Sequence, residues 1–179
     1  MIIALAGRRV DIANTVPPRF PAANLETVKA QIAEFLQSHG VTGLVCAAAC
    51  GADILALEAA AEQGIRRRIV LPFDHTRFRE MSVVDRGGDW GERYDRIIAE
   101  VAAAGDLVEG ALDPDDGQTW NTGNLDILNQ AQALAAETNT DLAALVVWNG
   151  ASRGGDDVTG HFKTEAEARG LGVAEILTV

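Results

Sequence analysis

The chain has 179 residues, enough for one domain with a sizeable core and short for two. Apolar residues make up 47 %, which excludes general disorder, while aromatics make up 5 %, so alanine, leucine and valine must fill the interior. The formal charge of −11 repels nucleic acid and anionic membrane surfaces, so any anion site has to be made locally from a few arginines and backbone N–H groups.

Short apolar runs alternate with segments of helical spacing. The first run, 2–6, reads as a buried strand and is followed by a long turn-rich segment, 8–23, with Pro17, Pro18 and Pro21. Leu25, Val28, Ile32, Phe35 and Leu36 then form a helical stripe that Asn24 is placed to cap. A strand over 43–47 leads to a helix marked by Ile54, Leu55, Ala59 and Ala60, and a strand over 68–71 follows. After a segment with Gly87 and Gly88 come a helix marked by Tyr94, Ile97, Ile98 and Val101 and a short strand near 106–109. Beyond the loop 110–118, Leu125, Leu128, Ala131 and Leu134 mark another helix before the strongest strand, 142–148. The chain closes with the glycine-rich loop 149–157, a short helix over 164–169 and a strand over 173–177.

Strands that alternate with helices and lack period-two patterning predict βαβ units: one α/β domain over 1–179, a Rossmann-like open parallel sheet with helices on both faces. Ligands of such sheets bind outside the carboxyl ends of the strands, so the loops after Ala6, Ala47, Leu71 and Trp148 are the candidate site.

Three strings carry the chemistry. Gly7-Arg8-Arg9 follows the first strand: glycine allows close backbone approach, and arginine offers a planar fork for phosphate or carboxylate. Both arginines are expected to be at least partly exposed; the bland alternative is a turn with two solvated side chains. Gly51-Ala52-Asp53 opens the second helix, where free N–H groups favour an anion. Asp53 competes with such an anion, and it either caps the helix or accepts bonds from ribose hydroxyls or from the arginine loop. Asn149-Gly150 with Gly154, Gly155 and Thr159 form a loop able to wrap a phosphate, with Gly155 at positive φ or close to the ligand and Thr159 as an N-cap; a plain surface loop is the competing reading.

Other residues are weaker candidates. Cys46 and Cys50 lack a nearby histidine, so no metal is expected, and two cysteines fit a reducing, cytoplasmic compartment. No basic region precedes the short apolar start, so a signal peptide is not expected, nor is a membrane span. His39 is placed as a helix C-cap partner, whereas His75 and His161 lack a nucleophile beside them.

Taken in order, these segments resemble the SLOG nucleotide-binding superfamily over nearly the whole chain. The resemblance rests on Ala6-Gly7-Arg8-Arg9, on Cys50-Gly51-Ala52-Asp53-Ile54-Leu55 with Glu58, and on Val70-Leu71-Pro72-Phe73 with Phe78. It continues through Asp89-Trp90 with Arg93-Tyr94-Asp95, then Val146-Val147-Trp148-Asn149-Gly150 and the Gly154-Gly155 loop before Thr159. The Leu-Pro-Phe and Trp…Arg-Tyr-Asp strings are most similar to its sensor-type members. The resemblance implies binding or sensing of a nucleotide or nucleotide-derived small molecule, with Pro72 and Phe73 at the ligand, no further cofactor, and association into a homo-oligomer as a possibility. The superfamily also contains phosphoribohydrolases that cleave an N-glycosidic bond, which is the alternative function. Their Gly-Gly-x-Gly-Thr-x-x-Glu string is not reproduced: Phe162 stands three past Thr159, leaving Glu58 and Glu165 as candidate displaced carboxylates.

Overall fold

The computed structural model describes residues 1–179. Its strands are β1 (Ile2–Gly7), β2 (Gly43–Cys46), β3 (Arg66–Leu71), β4 (Leu107–Glu109), β5 (Leu142–Trp148) and β6 (Val173–Leu177). The helices are α1 (Leu25–Ser38), α2 (Ala52–Glu62), α3 (His75–Ser82), α4 (Trp90–Ala103), α5 (Thr119–Thr138) and α6 (Val158–Ala168). The strands form one all-parallel sheet in the order β4-β3-β2-β1-β5-β6. This is the Rossmann-like α/β architecture. The chain moves outward from β1 to β4, returns through α5 and restarts on the other side of β1, which puts the switch of direction between β1 and β5.

Strand side chains alternate between two cores. Ile3, Leu5, Leu44, Cys46, Ile69, Leu71, Leu145 and Val147 pack with residues of α1, α2 and α4. Their sequence neighbours Ile2, Ala4, Val45, Val70, Ala144 and Val146 pack with residues of α5 and α6. Covering both faces removes the need for polar alternation, which is why the strands read as unbroken apolar runs.

Local departures from the sequence reading have physical causes. β3 begins at Arg66 rather than 68 because its arginines are paired: Arg66 and Arg68 reach Asp106, and Arg67 reaches Glu100. The helix α3 was not expected; it is short and polar, with only Phe78 and Ser82 buried, and starts where the Asp74 carboxylate accepts from the Arg77 N–H at 3.0 Å. The last helix starts at Val158 instead of 164. Thr159 therefore lies inside its first turn, and Asp157, not Thr159, occupies the N-cap position. Asn24 precedes α1 but makes no capping bond; its Nδ2 donates to the Thr178 carbonyl at 3.0 Å. No helix is long and apolar enough to cross a membrane.

Candidate functional site at the strand ends

A cavity of about 710 Å³ lies at the carboxyl ends of the central strands. It is lined by the end of β1 and the segment after it (Leu5 to Ile12), by Ala47 and Ala49 after β2, and by Val70 and Pro72 around the end of β3. Arg153 from the loop after β5, with Val158 and Thr159 of α6, completes the set of four strand-end connections. The volume suits a mononucleotide-sized ligand.

Its walls differ in character. Phe78, Met81, Trp120 and Ile127 give an apolar side. Trp120 sits edge-on to Phe73, with ring centroids 5.7 Å apart, in a cluster that includes Phe78. Elsewhere the lining carries five arginines, Arg8, Arg9, Arg19, Arg86 and Arg153, of which Arg8 and Arg153 pair with Asp157 and Arg9 and Arg86 with Asp85, while Arg19 has no ion-pair partner. Asp11 holds the 8–23 segment in place: its carboxylate accepts from the backbone N–H groups of Arg19 and Phe20 at 2.7 and 2.8 Å, and Phe20 is fully buried.

Arg8 is not the partly exposed arginine the sequence predicts. It is only 5 % exposed and forms a buried bidentate pair with Asp157. Its Nε also donates to Asn149 Oδ1 at 3.0 Å and its Nη2 to the Ala151 carbonyl at 2.8 Å. The side chain thus ties the loop 149–157 to the end of β1. Burial alone would raise the Asp157 carboxyl, but the bonds from Arg8 and from the N–H groups of Arg153 and Gly160 hold it well below the usual range.

Arg9 points elsewhere. Its Nη2 pairs with Asp85, while its Nε is buried without a hydrogen-bond partner. The backbone of Arg9 bridges to Gly51, bringing the arginine string against the start of α2.

Asp53 lies within α2 rather than capping it, 6 % exposed. Its Oδ2 accepts from the Ala49 N–H at 3.1 Å, and its Oδ1 has no partner. Burial pushes the carboxyl up to about 7, against the Ala49 bond and the Arg9 charge. A carboxyl raised from 3.8 to about 7 holds its proton in the folded state while the unfolded chain has lost it, so stability falls as pH rises from about 4 to 7. Asp53→Asn should remove that fall. In denaturant titrations across this range its advantage over the parent should grow by roughly 2–4 kcal/mol, and parallel pH profiles for the two proteins would refute the assignment.

Of the residues singled out in the sequence, Gly7, Arg8, Arg9, Asp53, Pro72 and Thr159 line the cavity. Gly51, Ala52, Phe73, Asn149, Gly150, Gly154 and Gly155 do not. Gly155 does not adopt positive φ; Gly154 does, at 92°. A Cβ on Gly155 meets nothing within 4 Å. Gly155→Val should therefore shift stability by less than about 0.5 kcal/mol, read as an unchanged denaturation midpoint. Neither candidate carboxylate reaches the cavity. Glu58 is held by Arg93 at 2.7 Å, Arg96 at 3.2 Å and Lys29 at 3.5 Å in a cluster joining α1, α2 and α4. Glu165 lies 3.9 Å from His161 on α6.

Compared with known proteins, the chain matches no family model, and no curated protein is significantly similar to it.

Sequence reasoning missed Arg19 and Arg86 as wall residues. The signal for Arg19 was available: it stands in a long segment after the first strand, the position where connections of parallel sheets carry function.

Proposed function

We propose that this chain binds or senses a nucleotide or nucleotide-derived small molecule in the strand-end cavity. The observation that carries the reading is the pairing of an arginine-rich wall with an apolar wall holding Trp120, at the switch point of a parallel sheet in a protein of charge −11. Guanidinium groups suit phosphate, and an indole suits a planar base. The same negative charge opposes nucleic acid as the partner. The buried free thiols of Cys46 and Cys50 fit the reducing cytoplasm. The phosphoribohydrolase reading draws no support from Glu58 or Glu165, since both lie off the cavity wall.

Calorimetric titration with nucleoside monophosphates, ADP-ribose, the matching nucleosides and inorganic phosphate tests the proposal. At least one phosphorylated member should bind, and removing its phosphate should weaken binding about tenfold or more. Absence of binding across the panel would reject the reading. Steady release of free base from any member would replace it with the hydrolase.

A further inference from the structure

An anion entering the cavity could be met by a helix start or by a guanidinium, and most of these groups are already engaged. At the start of α2 the N–H groups of Ala52, Ile54 and Leu55 donate to the carbonyls of Arg8, Ala49 and Gly51. At the start of α6, Asp157 holds the N-cap position and accepts from the Arg153 N–H at 2.9 Å. The same carboxylate pairs with the side chains of Arg8 and Arg153, and Asp85 pairs with those of Arg9 and Arg86. Among the arginines of the lining, Arg19 alone has no ion-pair partner.

The backbone around Arg19 is nevertheless firmly placed. Its N–H donates to the Asp11 carboxylate at 2.7 Å, and its carbonyl accepts from the Thr178 hydroxyl. The next residue, Phe20, is fully buried, and its carbonyl accepts from the Asp11 N–H at 2.8 Å. The segment is thus pinned on both sides of a partly exposed arginine that belongs to the cavity wall. An arginine on a fixed backbone loses less freedom when it takes a ligand, so the placement favours binding. The Asp11 carboxylate, also in the lining, is turned to the N–H groups of Arg19 and Phe20 rather than to a guanidinium.

The charge around Arg19 points the same way. Two arginines share the one Asp157 carboxylate, which leaves positive charge in excess on that side of the cavity. Burial first, and then the charges of Arg8 and Arg19, lower the pKa of the Arg153 guanidinium against the pull of Asp157. Arg19 therefore acts on Arg153 as a like charge, and an anion bound at Arg19 would relieve that repulsion.

We propose that Arg19 is the residue that takes the phosphoryl group of the ligand, its planar fork donating to phosphate oxygens. This rests on the nucleotide reading above. It moves the phosphate contact away from Arg8, Arg9 and the Gly154-Gly155 loop, to which the sequence assigns it, and onto the segment after β1. Arg8, Arg9, Arg86 and Arg153 keep their aspartate partners and act on the ligand only through their field.

The test measures affinity for AMP, GMP, CMP, UMP and ADP-ribose and for the matching nucleosides, on the parent, Arg19→Ala, Arg19→Gln and Arg77→Ala. Arg77 is an exposed arginine off the cavity, so its removal costs the same charge elsewhere. All three variants should keep the parent's denaturation midpoint, and the glutamine retains the side-chain stem in case alanine perturbs the segment. The parent should prefer at least one phosphorylated ligand over its nucleoside about tenfold or more. Both Arg19 variants should lose most of that preference while binding the nucleoside as the parent does, and Arg77→Ala should keep it. An undiminished preference in the Arg19 variants, an equal loss in Arg77→Ala, or no preference in the parent would overturn the assignment and leave binding of the nucleotide class standing. If no member of the panel binds the parent, both the assignment and the nucleotide reading fall.

Discussion

Replacing Arg8 by alanine should destabilise the protein by roughly 3–5 kcal/mol, the largest loss expected of any substitution at the site. The magnitude follows from what is left behind. Asp157 is buried and bound on both carboxylate oxygens by Arg8, so truncation strands a desolvated charge. The Asn149 and Ala151 oxygens lose a donor in the same step. Denaturant unfolding of the parent, Arg8→Ala, Asp157→Ala and the double variant measures the pair. Each single change should be severe and the double change little worse than either, because the second truncation removes the stranded partner. A cost below about 1 kcal/mol for Arg8→Ala would show that the pair does not hold the loop. The pH dependence has a definite sign. The Asp157 carboxyl is depressed in the folded state, so its contribution is complete above the unfolded value near 3.9 and is lost as pH falls through the folded value. Arg8→Ala should therefore lose less stability on acidification than the parent does.

Gly51→Ala should be nearly as damaging, at roughly 2–5 kcal/mol. Gly51 has φ 115° and ψ −128°, a region that residues with a side chain rarely enter. An added Cβ would stand 2.7 Å from the Arg8 carbonyl oxygen and 2.7 Å from the Val10 nitrogen. These are backbone atoms held by neighbouring bonds, Ala52 N–H to the Arg8 carbonyl at 3.1 Å and Val10 N–H to the Cys50 carbonyl at 3.2 Å, so the strain cannot relax by turning a side chain. A midpoint shift as small as that expected for Gly155→Val would contradict this account.

The parallel sheet was legible because it needs only composition and order. A run such as Leu142–Trp148, apolar throughout, demands cover on both faces, and helical stripes on either side of it supply the cover. The four strand-end connections followed from the same logic. The fates of adjacent side chains were not legible. Arg8 and Arg9 are identical and consecutive, yet one is locked to a residue 149 positions away and the other turns to Asp85. Such partners are defined by the fold rather than by local pattern. Glu58 failed for the converse reason: a carboxylate in a helix after a strand end reads as facing the site, but Arg93 and Arg96 of α4 and Lys29 of α1 hold it off the cavity wall. Gly155 was misjudged because its conformation depends on the loop path, where Gly154 takes the turn.

The contrast between an acidic exterior and an arginine-lined cavity has a kinetic consequence. At low ionic strength the far field of a −11 protein slows the approach of any anion, and the attraction of the arginines takes over only at short range. Added salt shortens the reach of both, to about 10 Å at 0.1 M, but trims the long-range repulsion more than the contact attraction. Association of an anionic ligand should accordingly quicken as salt rises from low levels, while its dissociation quickens too, so that residence time shortens as encounters become more frequent.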